Sequence, residues 1–185
     1  MRREKQYNFK IAVTGPESTG KTSLAQALAQ ALQTQWVPEF ARYYLGGLQR
    51  PYERADLARI GAGQRAWEDW YARAGDPILL CDTDWTVLQV WEHYRFGVPP
   101  AGAWSWEEGY GPGRLADLYL LCSPDMPWQP DPLREHPEER EVLFGWYEQL
   151  LSQHQANVLV LRGTAPEREA AALAQIQKVF GTLPA

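Results

Sequence analysis

The chain has 185 residues, 45% of them hydrophobic and 22% charged, with a formal net charge of −5. That length suits one domain with a sizeable core, residues 1–185, and is short for two. The acidic balance argues against nucleic acid as the main partner, since a phosphate backbone calls for a basic face, but a few local donors and a magnesium ion suffice for a nucleoside triphosphate.

The elements follow in chain order. NFKIAVT (8–14) is a short apolar run ending before glycine and predicts a buried strand. KTSLAQALAQALQ (21–33) places Leu24, Leu28, Ala31 and Leu32 at helical spacing. QWVPEF reads as a second strand that stops near Pro38. Residues 54–75 form a helix through Leu57, Ile60, Trp67 and Tyr71, closed by Gly75. DPILLCDTD is a third buried strand, and WTVLQVWEHYRFG a helix ending at Gly97. Residues 98–115, rich in Gly, Pro and Trp, read as an irregular excursion. ADLYLLCSP gives a fourth strand, REVLFGWYEQLLSQ a helix, ANVLVLRG a fifth strand, and TAPEREAAALAQIQKVFG a last helix with Pro166 in its first turn.

Apolar strands alternating with helices imply a parallel sheet covered on both faces, a three-layer α/β fold. Ligands in such folds bind at the carboxyl ends of the strands. No apolar run reaches membrane-spanning length, and MRREKQYNFKIAV has no signal-peptide core. Cys81 and Cys122 each close an apolar run and read as small buried hydrophobes. No membrane partner is expected, and the expected compartment is a reducing cytoplasm. His93, His136 and His154 have no metal-ligand spacing.

Gly15, Gly20, Lys21 and Thr22 satisfy G-x-x-x-x-G-K-[ST] between a strand and a helix. The glycines let successive amides turn toward phosphate oxygens, and the helix N-terminus adds its positive end. Lys21 neutralises β- and γ-phosphate charge, and the Thr22 hydroxyl ligates magnesium. The ATP-binding stretch is Gly15, Pro16, Glu17, Ser18, Thr19, Gly20, Lys21, Thr22 and Ser23. Glu17 cannot bind phosphate directly; it orients the loop or faces the acceptor. An acid at the end of a neighbouring strand completes the magnesium side, and Asp82 follows the third apolar run. Asp84 either meets substrate or caps the next helix.

Three further features bear on the acceptor. No guanine-reading N-K-x-D follows a late strand, which disfavours a GTPase switch. An AAA-type motor adds a helical lid domain for which the length leaves little room. Between Asp125 and Glu141, dense in proline and charge, lie Arg134 and Arg140, as in a short lid that excludes water and neutralises the transferring phosphoryl group. Arg140 has the competing reading of pairing with neighbouring glutamates on a solvated helix. Glu39 follows the second strand, placed to take a hydroxyl proton or grip a sugar diol, with Arg42 and Tyr43 a turn further on. The chain has nine tryptophans; Trp85 and Trp128 abut the motifs and would offer a cationic ring their faces, unless they are core.

GPESTGKT, VPEFARYYL, LLCDTDWTVLQVW and DLYLLCSPDMPWQPDPLRE together resemble the ribosylnicotinamide kinase domain of NadR-type proteins, from about Phe9 to Val179. The resemblance implies a P-loop nucleoside-kinase-like fold with a five-stranded parallel sheet and a lid near 125–141. It implies ATP- and magnesium-dependent phosphorylation of the 5′-hydroxyl of nicotinamide riboside, giving nicotinamide mononucleotide in NAD salvage. The acceptor motif then falls on Glu39, Arg42 and Tyr43, the DTD motif on Asp82 and Asp84, and the lid element on Asp131 to Arg134, with Pro132 in place of an expected glycine. Lys21, Asp82, Glu39 and Arg134 are the catalytic candidates. Homo-oligomer formation stays open, as does the choice of Asp82 or Glu39 as proton acceptor. A kinase of another nucleoside or small metabolite, or a regulatory P-loop ATPase, is the alternative.

Overall fold

The computed structural model describes residues 9–97, 115–134 and 137–181. Five parallel strands run in the order β2-β3-β1-β4-β5: β1 (Phe9–Thr14), β2 (Trp36–Val37), β3 (Ile78–Asp82), β4 (Leu118–Cys122) and β5 (Val158–Leu161). β1 is central, with Val13 level with Asp82 of β3 and Thr14 with Leu121 of β4. The carboxyl ends of these strands therefore come together at one edge.

Alternating side chains divide the core in two. Ile11, Val13, Leu80 and Leu120 pack under α1 (Lys21–Ala31) and α6 (Ala165–Phe180). Ala12, Tyr119 and Leu121 pack under α3 (Arg54–Tyr71), α4 (Trp85–Phe96) and α5 (Arg140–Gln153). Cys81 and Cys122 are buried free thiols. Helix starts are fixed chemically: Glu53 with Asp56 and Thr164 with Glu167 form capping boxes, and Pro166 stands in the first turn of α6.

Two features depart from the simple pattern. β1 carries a buried cation, Lys10, whose Nζ lies 2.7 Å from Glu68 of α3. A short helix, α2 (Phe40–Gly46), follows β2 where the sequence predicts only a strand end. Its Phe40 ring occupies the space where a Cβ on Gly63 would sit, so α2 and α3 approach closely only because Gly63 has no side chain. The excursion predicted at 98–115 lies outside the described residues except for Leu115, which packs on the second half of the core.

Candidate nucleotide and acceptor site

At the carboxyl edge, a cavity of about 250 Å³ opens between the β1–α1 loop and the start of α2. Gly15 and the loop from Glu17 to Ser23 line one side; Glu39, Arg42 and Trp91 line the other, with Arg134 and Arg168 also in its wall. A smaller hollow of about 170 Å³ adjoins it, sharing Glu17, Leu45, Trp91 and Leu133 and adding Tyr52 and Tyr94.

The loop is tightly wound. Gly15 has φ +132°, and a Cβ there would lie 2.6 Å from the Cys122 carbonyl oxygen, so only glycine fits. Ser18 takes a left-handed φ of 55° and Gly20 one of 77°. Pro16 does not line the cavity; its carbonyl accepts from Lys21 Nζ at 2.6 Å and from Thr19 Oγ1 at 2.9 Å.

Asp82 ends β3 beside the first turn of α1 and is buried. Burial raises its pKa, opposed by a hydrogen bond with Thr22 and by the charges of Lys21 and Arg42. Its Oδ1 is buried without a hydrogen-bond partner among the described residues. A buried carboxylate oxygen left unpaired beside a threonine hydroxyl and a phosphate loop is the donor set a hard divalent cation takes, so the residues present fit magnesium.

Glu39 precedes α2, with its side chain 11% exposed. Burial raises its pKa; Lys21 and Arg42 oppose the shift, and Asp82 and Glu17 add to it. Arg42 lies 3.4 Å from Glu39 and 3.1 Å from Asp131. Asp131 also accepts from the Leu133 amide, and the Arg134 amide donates to its carbonyl, which makes a tight turn of Asp131 to Arg134. Arg134 reaches back from that turn to the Gln129 carbonyl and, at 3.5 Å, to Ser18 Oγ; the Gln129 amide donates to the same Ser18 oxygen at 2.8 Å. The segment after β4 thus rests on the phosphate loop.

Other sequence-predicted residues are placed differently. Tyr43 is 70% exposed and packs against Phe40 and Trp67. Asp84 is buried and caps α4: Oδ1 accepts from the Thr86 amide and hydroxyl, and Oδ2 from the Tyr119 hydroxyl. Trp85 is buried and meets His154 edge-on at 5.3 Å, away from the cavity lining. Trp128 takes this chain's own Arg140 over its ring at 5.7 Å. Arg140 stands against the loop, donating to the Ser18 carbonyl at 3.3 Å and the Met126 carbonyl at 2.9 Å, and does not line the cavity.

Trp91 and Arg168 are among the lining residues that escaped the sequence reading. Trp91 sits in mid-α4 with no motif around it, one turn on from Val87, which also lines the cavity, and it packs against the same core as Val87. Arg168, in the first turns of α6, is buried and gives hydrogen bonds to three carbonyls. Its lone clue is an arginine in the first turns of a helix, where acids are favoured.

Comparison with known proteins agrees with this geometry. The chain is 27% identical over 128 residues to the trifunctional NAD biosynthesis/regulator protein NadR of Salmonella typhimurium, covering 67% of this chain and 30% of that protein. The fold matches a crystal structure of NadR protein in complex with NAD and AMP-PNP (TM-score 0.75, 21% identity, 97% of this chain and 51% of that one). It also matches NadR protein in complex with NR (TM-score 0.74, 23% identity, 97% and 54%). Thymidylate kinase from Ehrlichia chaffeensis has the same fold at 11% identity (TM-score 0.68, 92% and 100%). The chain therefore has the three-layer fold seen in these NadR and thymidylate kinase structures, while it spans under a third of the curated NadR protein and about half of the two solved NadR chains. A family model described as an AAA domain matches residues 10–168, from β1 into α6. With that match over most of the described fold, the chain belongs to the AAA-domain family of P-loop proteins.

Proposed function

We propose that the protein phosphorylates the 5′-hydroxyl of nicotinamide riboside with ATP, giving nicotinamide mononucleotide for NAD salvage. The observation that carries this reading is one continuous cavity with a phosphate loop on one wall and Glu39, Arg42 and Trp91 on the other. A hydrolase needs only the first wall. The second, with a carboxylate, an arginine and an indole, suits an acceptor with a hydroxyl and a flat ring. Glu17 and Trp91 stand where the main cavity meets the smaller hollow, so a pyridinium ring there would find both a negative charge and a π face. The binding of NR by a NadR structure of this fold supports the same choice.

In this reading the loop amides and Lys21 hold the triphosphate in line with the acceptor. Thr22 and Asp82 would hold magnesium, which when bound supplies positive charge to the β- and γ-phosphate oxygens. Glu39 lines the cavity whereas Asp82 is buried beside Thr22 and does not line it, so Glu39 receives or steers the hydroxyl proton. Its raised pKa makes it a better proton acceptor than an ordinary glutamate. Arg42 holds Glu39, and Arg134, already against Ser18, covers the transferring phosphoryl group.

The test is ADP release measured with nicotinamide riboside, uridine, cytidine, thymidine, deoxynucleosides, pantothenate or no acceptor. Stimulation by nicotinamide riboside alone is expected. Equal turnover without acceptor would replace the kinase with a hydrolase or switch, and stimulation by a neutral nucleoside alone would replace the acceptor.

A further inference from the structure

The phosphate loop's own carbonyls are held by arginines. Arg168 of α6 is 2% exposed. Its Nη1 donates to the Thr19 carbonyl at 2.7 Å, Nη2 to the Ser123 carbonyl at 2.9 Å, and Nε to the Gly163 carbonyl at 2.9 Å. Nη2 also meets the Asp125 carboxylate. One guanidinium thus joins four segments: the phosphate loop, the end of β4, the start of the lid and the β5–α6 turn.

A peptide unit is planar and trans, so its carbonyl and the following N–H point in opposite directions. Fixing the Thr19 oxygen on Arg168 therefore aims the Gly20 N–H the other way, and Gly20 lines the cavity. Arg140 does the same one peptide earlier through the Ser18 carbonyl, aiming the Thr19 N–H. Ser18 and Gly20 both take left-handed conformations, and the hydrogen bonds to the Ser18 and Thr19 carbonyls come from Arg140 and Arg168, far along the chain. A buried, planar, five-donor group suits this task; an ammonium cannot span the same set of acceptors.

We propose that Arg168 is a positioning residue for nucleotide binding: it orients the Thr19–Gly20 peptide so that the Gly20 amide is preset for a phosphate oxygen, and through Asp125 it ties that orientation to the base of the lid. The proposal rests on the loop holding a polyphosphate and is independent of the acceptor. A residue that only supported the fold would weaken all ligands alike. A residue that presets a loop amide weakens polyphosphate binding and leaves the nucleoside moiety alone.

The experiment is calorimetric titration of the full chain and its Arg168→Lys and Arg168→Gln variants with three probes: Mg·ATP, tripolyphosphate and adenosine, with folding checked by circular dichroism. For folded variants, we expect affinity for tripolyphosphate and for Mg·ATP to fall about tenfold or more, with adenosine within about twofold of wild type. Wild-type tripolyphosphate affinity in either folded variant overturns the proposal, as does an equal loss for adenosine. If neither variant folds, Asp125→Asn carries the test, since it keeps the guanidinium and removes its charged partner. A several-fold loss confined to the polyphosphate probes supports the proposal, and unchanged affinities overturn it. Failure of wild type to bind tripolyphosphate would instead count against the phosphate loop itself.

Discussion

Arg42 Nη1 lies 3.1 Å from Asp131, a contact that joins the helix after β2 to the turn before Arg134. Arg42 is 41% exposed, so the pair contributes little to stability, about 1 kcal/mol or less. Its effect is on geometry, because the same arginine holds Glu39. Asp131→Ala is expected to shift the melting temperature by only a few degrees. It should raise the acceptor KM several-fold and leave the KM for ATP nearly unchanged. A double-mutant cycle with Arg42→Ala, read in kcat/KM, checks whether the two act together.

Glu39 sets a pH dependence. Burial raises its pKa, so turnover should fall as pH drops through a value above the ordinary glutamate range. Stability moves the opposite way. The folded state holds the proton more tightly than the unfolded state, so this residue's contribution to stability declines as pH rises from the ordinary range through the raised value. Glu39→Gln should therefore melt at or above the wild-type temperature at neutral pH while losing at least about a hundredfold in kcat. Thermal melts and a pH–rate profile for both proteins test the two halves separately.

Asp82 and Thr22 should act as a unit. Asp82→Asn is expected to lower turnover about a hundredfold or more and to abolish the gain in ATP affinity that magnesium gives. Thr22→Ala should show the same pattern more mildly, and the double variant little more than Asp82→Asn alone. Titrating ATP with and without chelator in all three variants checks this. An unchanged magnesium effect in Asp82→Asn would remove Asp82 from the metal side.

The aromatic contribution should come from Trp91. Trp91→Leu is expected to raise the KM for nicotinamide riboside about tenfold, from loss of a desolvated cation–π contact, with the KM for ATP little changed. Trp85→Phe and Trp128→Phe should leave the acceptor KM within about twofold, since one packs on His154 and the other on Arg140. Steady-state kinetics with acceptor varied at saturating ATP distinguishes the three.

The contrast between these tryptophans shows what was legible in the sequence. Strand and helix periodicity, with the glycine-lysine signature, located the loop. The rule that sites lie at strand ends pointed to Glu39 and Asp82. Adjacency to a motif fixes where a Cα lies, not where its side chain points. Trp85 stands next to DTD, yet the first turn of α4 directs it toward His154. Trp91 is six residues further on and reaches the cavity from the same helix face as Val87, one turn earlier, which also lines it. Asp84 caps that helix for the same local reason. Arg168 was hidden differently: its partners are backbone carbonyls of Thr19, Ser123 and Gly163, which have no signature in the side-chain sequence. α2 was missed because seven residues are too few for a convincing period.

The strand order also governs how the chain assembles. Of the five strands β1 is made first, but its two neighbours in the sheet are β3, which starts at Ile78, and β4, which starts at Leu118. Until β3 is made the apolar FKIAVT segment has two open edges, and its second edge stays open until β4, Leu118–Cys122, follows. Long-range parallel pairing of this kind forms slowly and leaves nascent strands open to misassociation. The site-forming edge is therefore completed late, and slowed translation through residues 78–122 should raise the share of chains that aggregate before they fold.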